Sequence, residues 1–385
     1  MKIKPFKLER FFAEYEFTAP YLLCCSDCEA LTLKQLLSMA DPQALAMFND
    51  LSLGYTESAG LPALRREISE LYQNTGPDNI LETVPEEGIF IAMNTLLKPG
   101  DHVIVTFPGY QSLYSIAEAV GCSVTRWLPR KKDLPGLLWE FNIQDLSNLI
   151  RPETSLIIIN FPHNPTGASI SDQDLLQIVG FCRQLDIPLF SDEMYRMLES
   201  DKAERLPFVS DIYEKGIGLF GMSKTFSLPG LRTGWLASEN IDFLEKARAF
   251  KDYTTICSSG PSEILALIGL RARDKIIKTN LDLIKKNLDI LDDFFSEYDN
   301  LFEWARPGAG PVGLVGFRPE NSGFVNADHF CSDLISKAGV LLAPAGCFDY
   351  EENAFRIGFA RKNMPDCLRQ LEIFLKTNKK HLKTN

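Results

Sequence analysis

Long hydrophobic runs, basic excess, histidines and glycine-rich nucleotide motifs are what this sequence has little of. Its longest apolar stretches, such as residues 156–159, are far too short to cross a bilayer, so no membrane association is expected. The formal net charge is −11, which argues against non-specific binding of nucleic acid, a process that depends on basic patches meeting phosphates. Only four histidines are present, and Cys25-Ser26-Asp27-Cys28 is a CxxC without a second pair, so no metal site is expected. No thioredoxin-like βαβ pattern surrounds that motif, which leaves buried thiols near an N-terminal strand as its reading. There is no GxGxxG, no internal repeat and no low-complexity linker. Residues 1–10 alternate charged and apolar side chains and lack the apolar centre of a signal peptide. The nine cysteines are odd in number and scattered, which suits a reducing compartment better than a disulfide framework. A soluble, cytoplasmic protein is the expectation.

What is present is a rhythm. Between about residues 50 and 260, short apolar runs alternate with amphipathic stretches. Residues 102–107, 156–161, 188–191, 217–221 and 234–238 are apolar at most positions, as strands covered on both faces are. Helical patterns lie between them at 61–73, 113–120, 173–185 and 241–251, and Ser171 with Asp174 forms a helix-start signal. This alternation predicts a mostly parallel α/β sheet. Helical periodicity is then sustained over 261–295. Glycine and proline turns follow, with short strands at 312–317, 340–343 and 356–359 and a closing helix at 365–376. The expected organisation is a large domain over 46–285 and a smaller α+β domain made of 1–45 and 286–385.

In open α/β sheets, ligands sit at the carboxyl ends of strands. The run at 217–220 leads into Gly221-Met222-Ser223-Lys224, and Arg232 follows eight residues after the lysine. A lysine delivered there is a candidate Schiff-base former, because a low-dielectric pocket favours its neutral amine; the alternative is a surface lysine after a strand. A Ser-Lys hydrolase dyad would need an oxyanion-hole context that the sequence does not show. Asn164-Pro165-Thr166-Gly167 carries turn signals after a buried strand, and alone reads equally as an ordinary loop. Asp192, after Leu189-Phe190-Ser191, is expected at or below the sheet surface. A carboxylate there needs a cationic partner, either a protonated pyridine nitrogen or an arginine elsewhere in the fold. Arg356, between Phe355 and Ile357, suits bidentate capture of a carboxylate, although taken alone it reads first as an arginine on an exposed edge strand.

Together and in this order, these motifs resemble the fold type I pyridoxal phosphate (PLP) enzymes, specifically the class I/II aminotransferases, over about residues 53–374. The resemblance implies an aspartate aminotransferase-like α/β fold, with a mostly parallel seven-stranded sheet flanked by helices and a smaller α+β domain. It implies that Lys224 forms the Schiff base and shuttles the substrate proton, and that Asp192 partners the pyridine nitrogen. Asn164 and Tyr195 match residues that hydrogen-bond the cofactor's phenolic oxygen. Arg232 matches a phosphate ligand, and Arg356 matches the arginine that holds the substrate α-carboxylate, with Asn164 beside it. Tyr110, in Phe107-Pro108-Gly109-Tyr110, resembles the ring that stacks on the pyridine. Tyr55 resembles the tyrosine that reaches the cofactor phosphate of the partner subunit, which implies a homodimer. Ser258 and Ser259 sit where a further cross-subunit loop is found.

Two stretches depart from the family pattern. A small Gly-Ala pair is common where this chain has Val84-Pro85-Glu86-Glu87-Gly88, the expected phosphate loop at a helix start. Pro85 removes one N–H donor, and Glu86 and Glu87 bring negative charge to a phosphate. Gly221 stands where serine is common, which leaves Ser223 as the substitute contact. The expected reaction is transamination between an amino acid and a 2-oxo acid. One alternative is a non-transaminating PLP enzyme (a cyclase, lyase or oxidase) acting on arginine or a derivative. Glu86-Glu87-Gly88-Ile89 and Tyr110-Gln111-Ser112-Leu113 look similar to the capreomycidine synthase-like branch, and the acidic Asp27 and Glu29 fall in the region that lies near the substrate side chain. A second alternative is a non-catalytic, PLP-binding regulatory module.

Overall fold

The computed structural model describes residues 2–132 and 139–377. Its centre is a seven-stranded sheet of β1 (Ile80–Thr83), β2 (His102–Thr106), β3 (Ser123–Trp127), β4 (Thr154–Asn160), β5 (Leu189–Asp192), β6 (Gly216–Gly221) and β7 (Gly234–Ala237). The spatial order is β1-β7-β6-β5-β4-β2-β3. β7 runs antiparallel to both β1 and β6, and all other pairings are parallel, so the sheet is of the expected, mostly parallel kind.

The apolar runs are central strands because each must bury both faces. Val103, Val105, Leu156 and Ile158 point into one core, with Ile89, Leu113 and Ala247 from the helices Pro85–Leu96, Ser112–Val120 and Ile241–Lys251. Ile104, Ile157 and Ile159 point into the opposite core, with Leu175 and Val179 from the helix Asp172–Leu185. That helix starts at a capping box: the Asp174 N–H donates to Ser171, and the Asp174 carboxylate reaches back to the Ser171 backbone. The sequence pattern missed the two edge strands. β3 buries only Trp127, and β1 is four residues long and includes the buried Glu82 and Thr83.

A second, antiparallel sheet contains β8 (Phe302–Glu303), β9 (Val312–Phe317), β10 (Ala343–Pro344) and β11 (Ala354–Gly358), in the order β8-β9-β11-β10. Phe317, Phe330, Phe355, Leu371 and Phe374 build its core, joined by Leu23 and Cys28 from the N-terminal segment. The strand expected at 340–343 is two pieces: Val340–Leu341 pairs with Tyr21–Leu22, and β10 joins the sheet. The long helical pattern after 260 resolves into helices Gly260–Arg271 and Arg273–Glu297. Residues 133–138 and 378–385, within the expected domain spans, lie outside the described residues. Among the described residues no helix is long and apolar enough to cross a membrane.

Candidate active site

The parallel strands end at one edge. Asn160 closes β4 and Asp192 closes β5, and the two residues sit opposite each other in register. Lys224 follows three residues after the end of β6. A cleft of about 840 Å³ opens above these strand ends. It brings together Lys224, Ser223, Asp192, Tyr195 and Asn164, and reaches Arg356 on β11. Tyr110, Arg232 and Glu86 line it from the side of the large sheet's helices, and the helix Lys7–Tyr15 lies across it with Glu9 and Phe12.

Each polar group has a definite environment. The Asp192 carboxylate accepts the Met194 N–H at 3.1 Å and has no cation within ion-pair distance among the described residues. Burial therefore pushes its pKa up to about 6. Burial pushes the Lys224 amine in the neutral direction, against the pull of Asp27, and its Nζ donates to Ser26 Oγ at 2.9 Å. The Tyr195 hydroxyl, which lies beside Ser26, and the Ser223 hydroxyl are buried, and among the described residues neither makes a well-aligned hydrogen bond. Arg356 is 0% exposed, on an inner strand of its sheet, so it is not the edge-strand arginine the sequence left open. Its Nε and Nη2 donate to the Cys24 carbonyl at 3.2 and 2.9 Å, and its Nη1 donates to Asn164 Oδ1 at 3.0 Å. Asn160 fixes this corner: its Oδ1 accepts the Asn164 N–H, and its Nδ2 donates to the Asp192 carbonyl, both at 2.9 Å.

The departures at Pro85 and Gly221 are one feature. Pro85 opens the helix Pro85–Leu96 and packs onto β6 and β7. A Cβ on Gly221 would stand 2.8 Å from Gly234 Cα and 3.2 Å from Pro85 Cγ, so the proline occupies the room a serine would use. As first-turn residues Glu86 and Glu87 have no intrahelical acceptor for their backbone N–H groups, and Val84 at the N-cap supplies no side-chain bond. Their side chains are tied elsewhere. Glu86 accepts from Ser112 on the cleft wall. Glu87 faces a second cavity of about 470 Å³, where the hydroxyls of Thr83, Thr254 and Thr255 hold its carboxylate. The Glu87 side chain is thus turned away from the cleft by three hydroxyls, the orientation that a helix start facing a phosphate requires of it.

Other expected residues also lie apart from the cleft. Tyr55 is 94% exposed and does not line it. Ser258 is engaged with Glu82 and Lys251, and the Ser258 carbonyl accepts from Thr56. Asp27 lines the cleft, but both its oxygens accept from Arg361 at 2.8 Å, and Glu29 accepts the Lys362 N–H. Asp27 is thus already paired with a cation of its own chain. Sequence reasoning missed Ser26, Asn160 and the N-terminal helix. Its signal was available: Glu9, Phe12 and Glu16 recur at i, i+3 and i+7, a single helix face.

The residues fit a pyridoxal group. A buried carboxylate without an ion-pair partner among the described residues, the buried Tyr195 and Ser223 hydroxyls, the helix start at Glu86 and an amine share one cleft. Comparison with known proteins agrees. The fold and cleft define a PLP-dependent enzyme of fold type I. Residues 28–373 match the family "Aminotransferase class I and II", and the chain belongs to it. It is 26% identical over 363 residues to capreomycidine synthase of Streptomyces vinaceus, covering 92% of this chain and 88% of that one. It is 27% identical over 324 residues to tyrosine aminotransferase of Mus musculus, covering 79% and 68%. Among solved structures, a PLP-dependent aminotransferase from Streptococcus suis superposes with a TM-score of 0.90 at 30% identity over 100% of both chains. The PLP-dependent cyclase OrfR superposes with a TM-score of 0.87 at 25% identity over 98% of both.

Proposed function

We propose that this protein is a PLP-dependent aminotransferase that moves an amino group between an amino acid and a 2-oxo acid. The observation that carries the reading is the Asp192 carboxylate, buried without a cation, in the same cleft as the Lys224 amine and the buried Arg356 guanidinium. In this reading Asp192 pairs with the ring nitrogen, Lys224 bonds the cofactor, and the Tyr195 and Asn164 side chains face its phenolic oxygen. Ser223, Arg232 and the first-turn N–H groups of Glu86 and Glu87 hold the phosphate, and Tyr110 covers the ring. Bound PLP supplies the electron sink for the bond broken at the substrate Cα. The chain supplies the rest: Arg356 with Asn164 grips the α-carboxylate, Lys224 Nζ carries the Cα proton, and the helix Lys7–Tyr15 keeps water out. The family supports a homodimer in which Tyr55 reaches the partner's phosphate site, and nine free cysteines support a reducing, cytoplasmic setting.

A second reading is a non-transaminating PLP enzyme on arginine or a derivative. Glu9 and Glu16 favour it: both carboxylates line the cleft on either side of Phe12, and among the described residues neither has an ion-pair partner. The similarity to a synthase and a cyclase supports it too. Visible spectra of the holoenzyme during titration with amino acids, with product analysis, test both. A 2-oxo acid product that depends on an amino acceptor is expected for the first. Ammonia release or dioxygen consumption with arginine, and no need of an acceptor, would replace it with the second. Lys224→Ala must lose the visible band of the bound cofactor under either reading.

A further inference from the structure

Lys224 Nζ has one hydrogen-bond partner among the described residues, the Ser26 hydroxyl at 2.9 Å. Ser26 comes from a stretch far away in the chain, and that stretch is clamped on both sides. The Gly358 N–H donates to the Leu23 carbonyl at 2.8 Å. The Arg356 guanidinium holds the Cys24 carbonyl through two donors. Cys25 lies so close to β11 that a Cβ on Gly358 would sit 2.0 Å from the Cys25 carbonyl oxygen. Asp27 is locked to Arg361 by two contacts of 2.8 Å, and the Glu29 N–H donates to the Ala360 carbonyl at 2.8 Å. The neighbours of Ser26 on both sides are thus fixed, and its hydroxyl is presented to the cleft with little freedom of its own.

We propose that Ser26 is a positioning residue for Lys224, holding the lysine nitrogen at the centre of the cleft whenever that nitrogen carries no bond to cofactor or substrate. This rests on Lys224 being the cofactor lysine. A lysine stem of four carbons has many rotamers, and a single fixed acceptor selects among them. A hydroxyl suits the task because it accepts an N–H from the ammonium in a charge-assisted bond, stronger than the one it can donate to the lone pair of the neutral amine. Among the described residues no other group hydrogen-bonds Lys224 Nζ, and the Tyr195 hydroxyl in the same cleft lies against Ser26. Asp27 is taken by Arg361, Arg356 repels, Cys25 is a weak partner, and Glu9, Glu16 and Asp192 act on it only at longer range.

The test is the pH profile of Lys224 acetylation by acetic anhydride in the full-length protein freed of cofactor, read by peptide mass spectrometry. A hydrogen bond to a charged donor favours the ammonium, so its loss makes the amine neutral at lower pH. In Ser26→Ala the midpoint is expected to fall by about one pH unit, the size of one charge-assisted hydrogen bond. Ser26→Cys, similar in size with a weakly bonding sulfur, should move the same way. Superposition of either profile on that of the wild type overturns the proposal. Pyridoxal phosphate added beforehand separates this from the parent reading. It should protect Lys224 and develop a visible band in every variant; no protection in the wild type would sink the cofactor assignment while leaving the Ser26 result to stand alone.

Discussion

Asp192 is kept ionised only at a cost in the cofactor-free protein. Its folded pKa of about 6 lies above the ordinary 3.8, so the folded chain holds the proton more tightly than the unfolded chain. The penalty is absent below the ordinary value, appears as the pH rises, and is complete above 6; it corresponds to about 3 kcal/mol. Urea unfolding should therefore show cofactor-free wild type losing stability relative to Asp192→Asn between pH 4 and pH 7. Saturating pyridoxal phosphate should cancel the difference, because a ring cation supplies the missing partner. Parallel pH curves for the two proteins would remove Asp192 from this role. That Asp192 sits at a strand end was legible from the apolar residues before it. That no arginine reaches it was not legible, because ion pairs between distant segments leave no local pattern. The same holds for Asp27, whose Arg361 lies 334 residues away.

The helix Pro85–Leu96 and the strands β6 and β7 meet at a point where Pro85, Gly221 and Gly234 pack together. Gly221 and Gly234 have no room for a side chain, and Pro85 fills the space above them. Gly221→Ser, which restores the commoner family residue, should destabilise the protein by about 1–3 kcal/mol. Adding Pro85→Ala should recover part of that loss, since Gly234 Cα still stands 2.8 Å from the new Cβ. Thermal unfolding of the single and double variants measures both; full stability of Gly221→Ser would refute the packing account. The sequence showed the two departures as separate anomalies, because nothing in a linear pattern joins residues 85 and 221. It showed the central strands and most helices within a few residues, since burial on both faces or on one stripe leaves a period. It gave no sign of β1 and β3, where edge positions relax that requirement, and none of the role of the N-terminal helix.

The whole chain presents a face that its own cleft does not use. Leu53, Tyr55, Tyr253 and Ile256 are exposed on loops on either side of the buried Glu82 and Lys251 cluster. A homodimer would cover this face, and subunit mixing tests whether Tyr55 serves its neighbour. Lys224→Ala and Tyr55→Ala should each be inactive or weak alone. Their mixed dimers should regain one intact site, which combines Lys224 from one subunit with Tyr55 from the other. Activity no greater than the sum of the parents would place Tyr55 outside the site. The clamp around Ser26 carries a further consequence. The carbonyl that Arg356 grips belongs to the residue two before Ser26, and the backbone between them presses on Gly358. The Arg356 guanidinium and the Lys224 amine are thus both fastened to one short ribbon. A substitution at any of residues 24–26, 224 or 356–358 therefore bears on the others through that ribbon. The cleft can diversify its chemistry along the N-terminal helix, where Glu9, Phe12 and Glu16 face the ligand without bearing on that ribbon's anchorage.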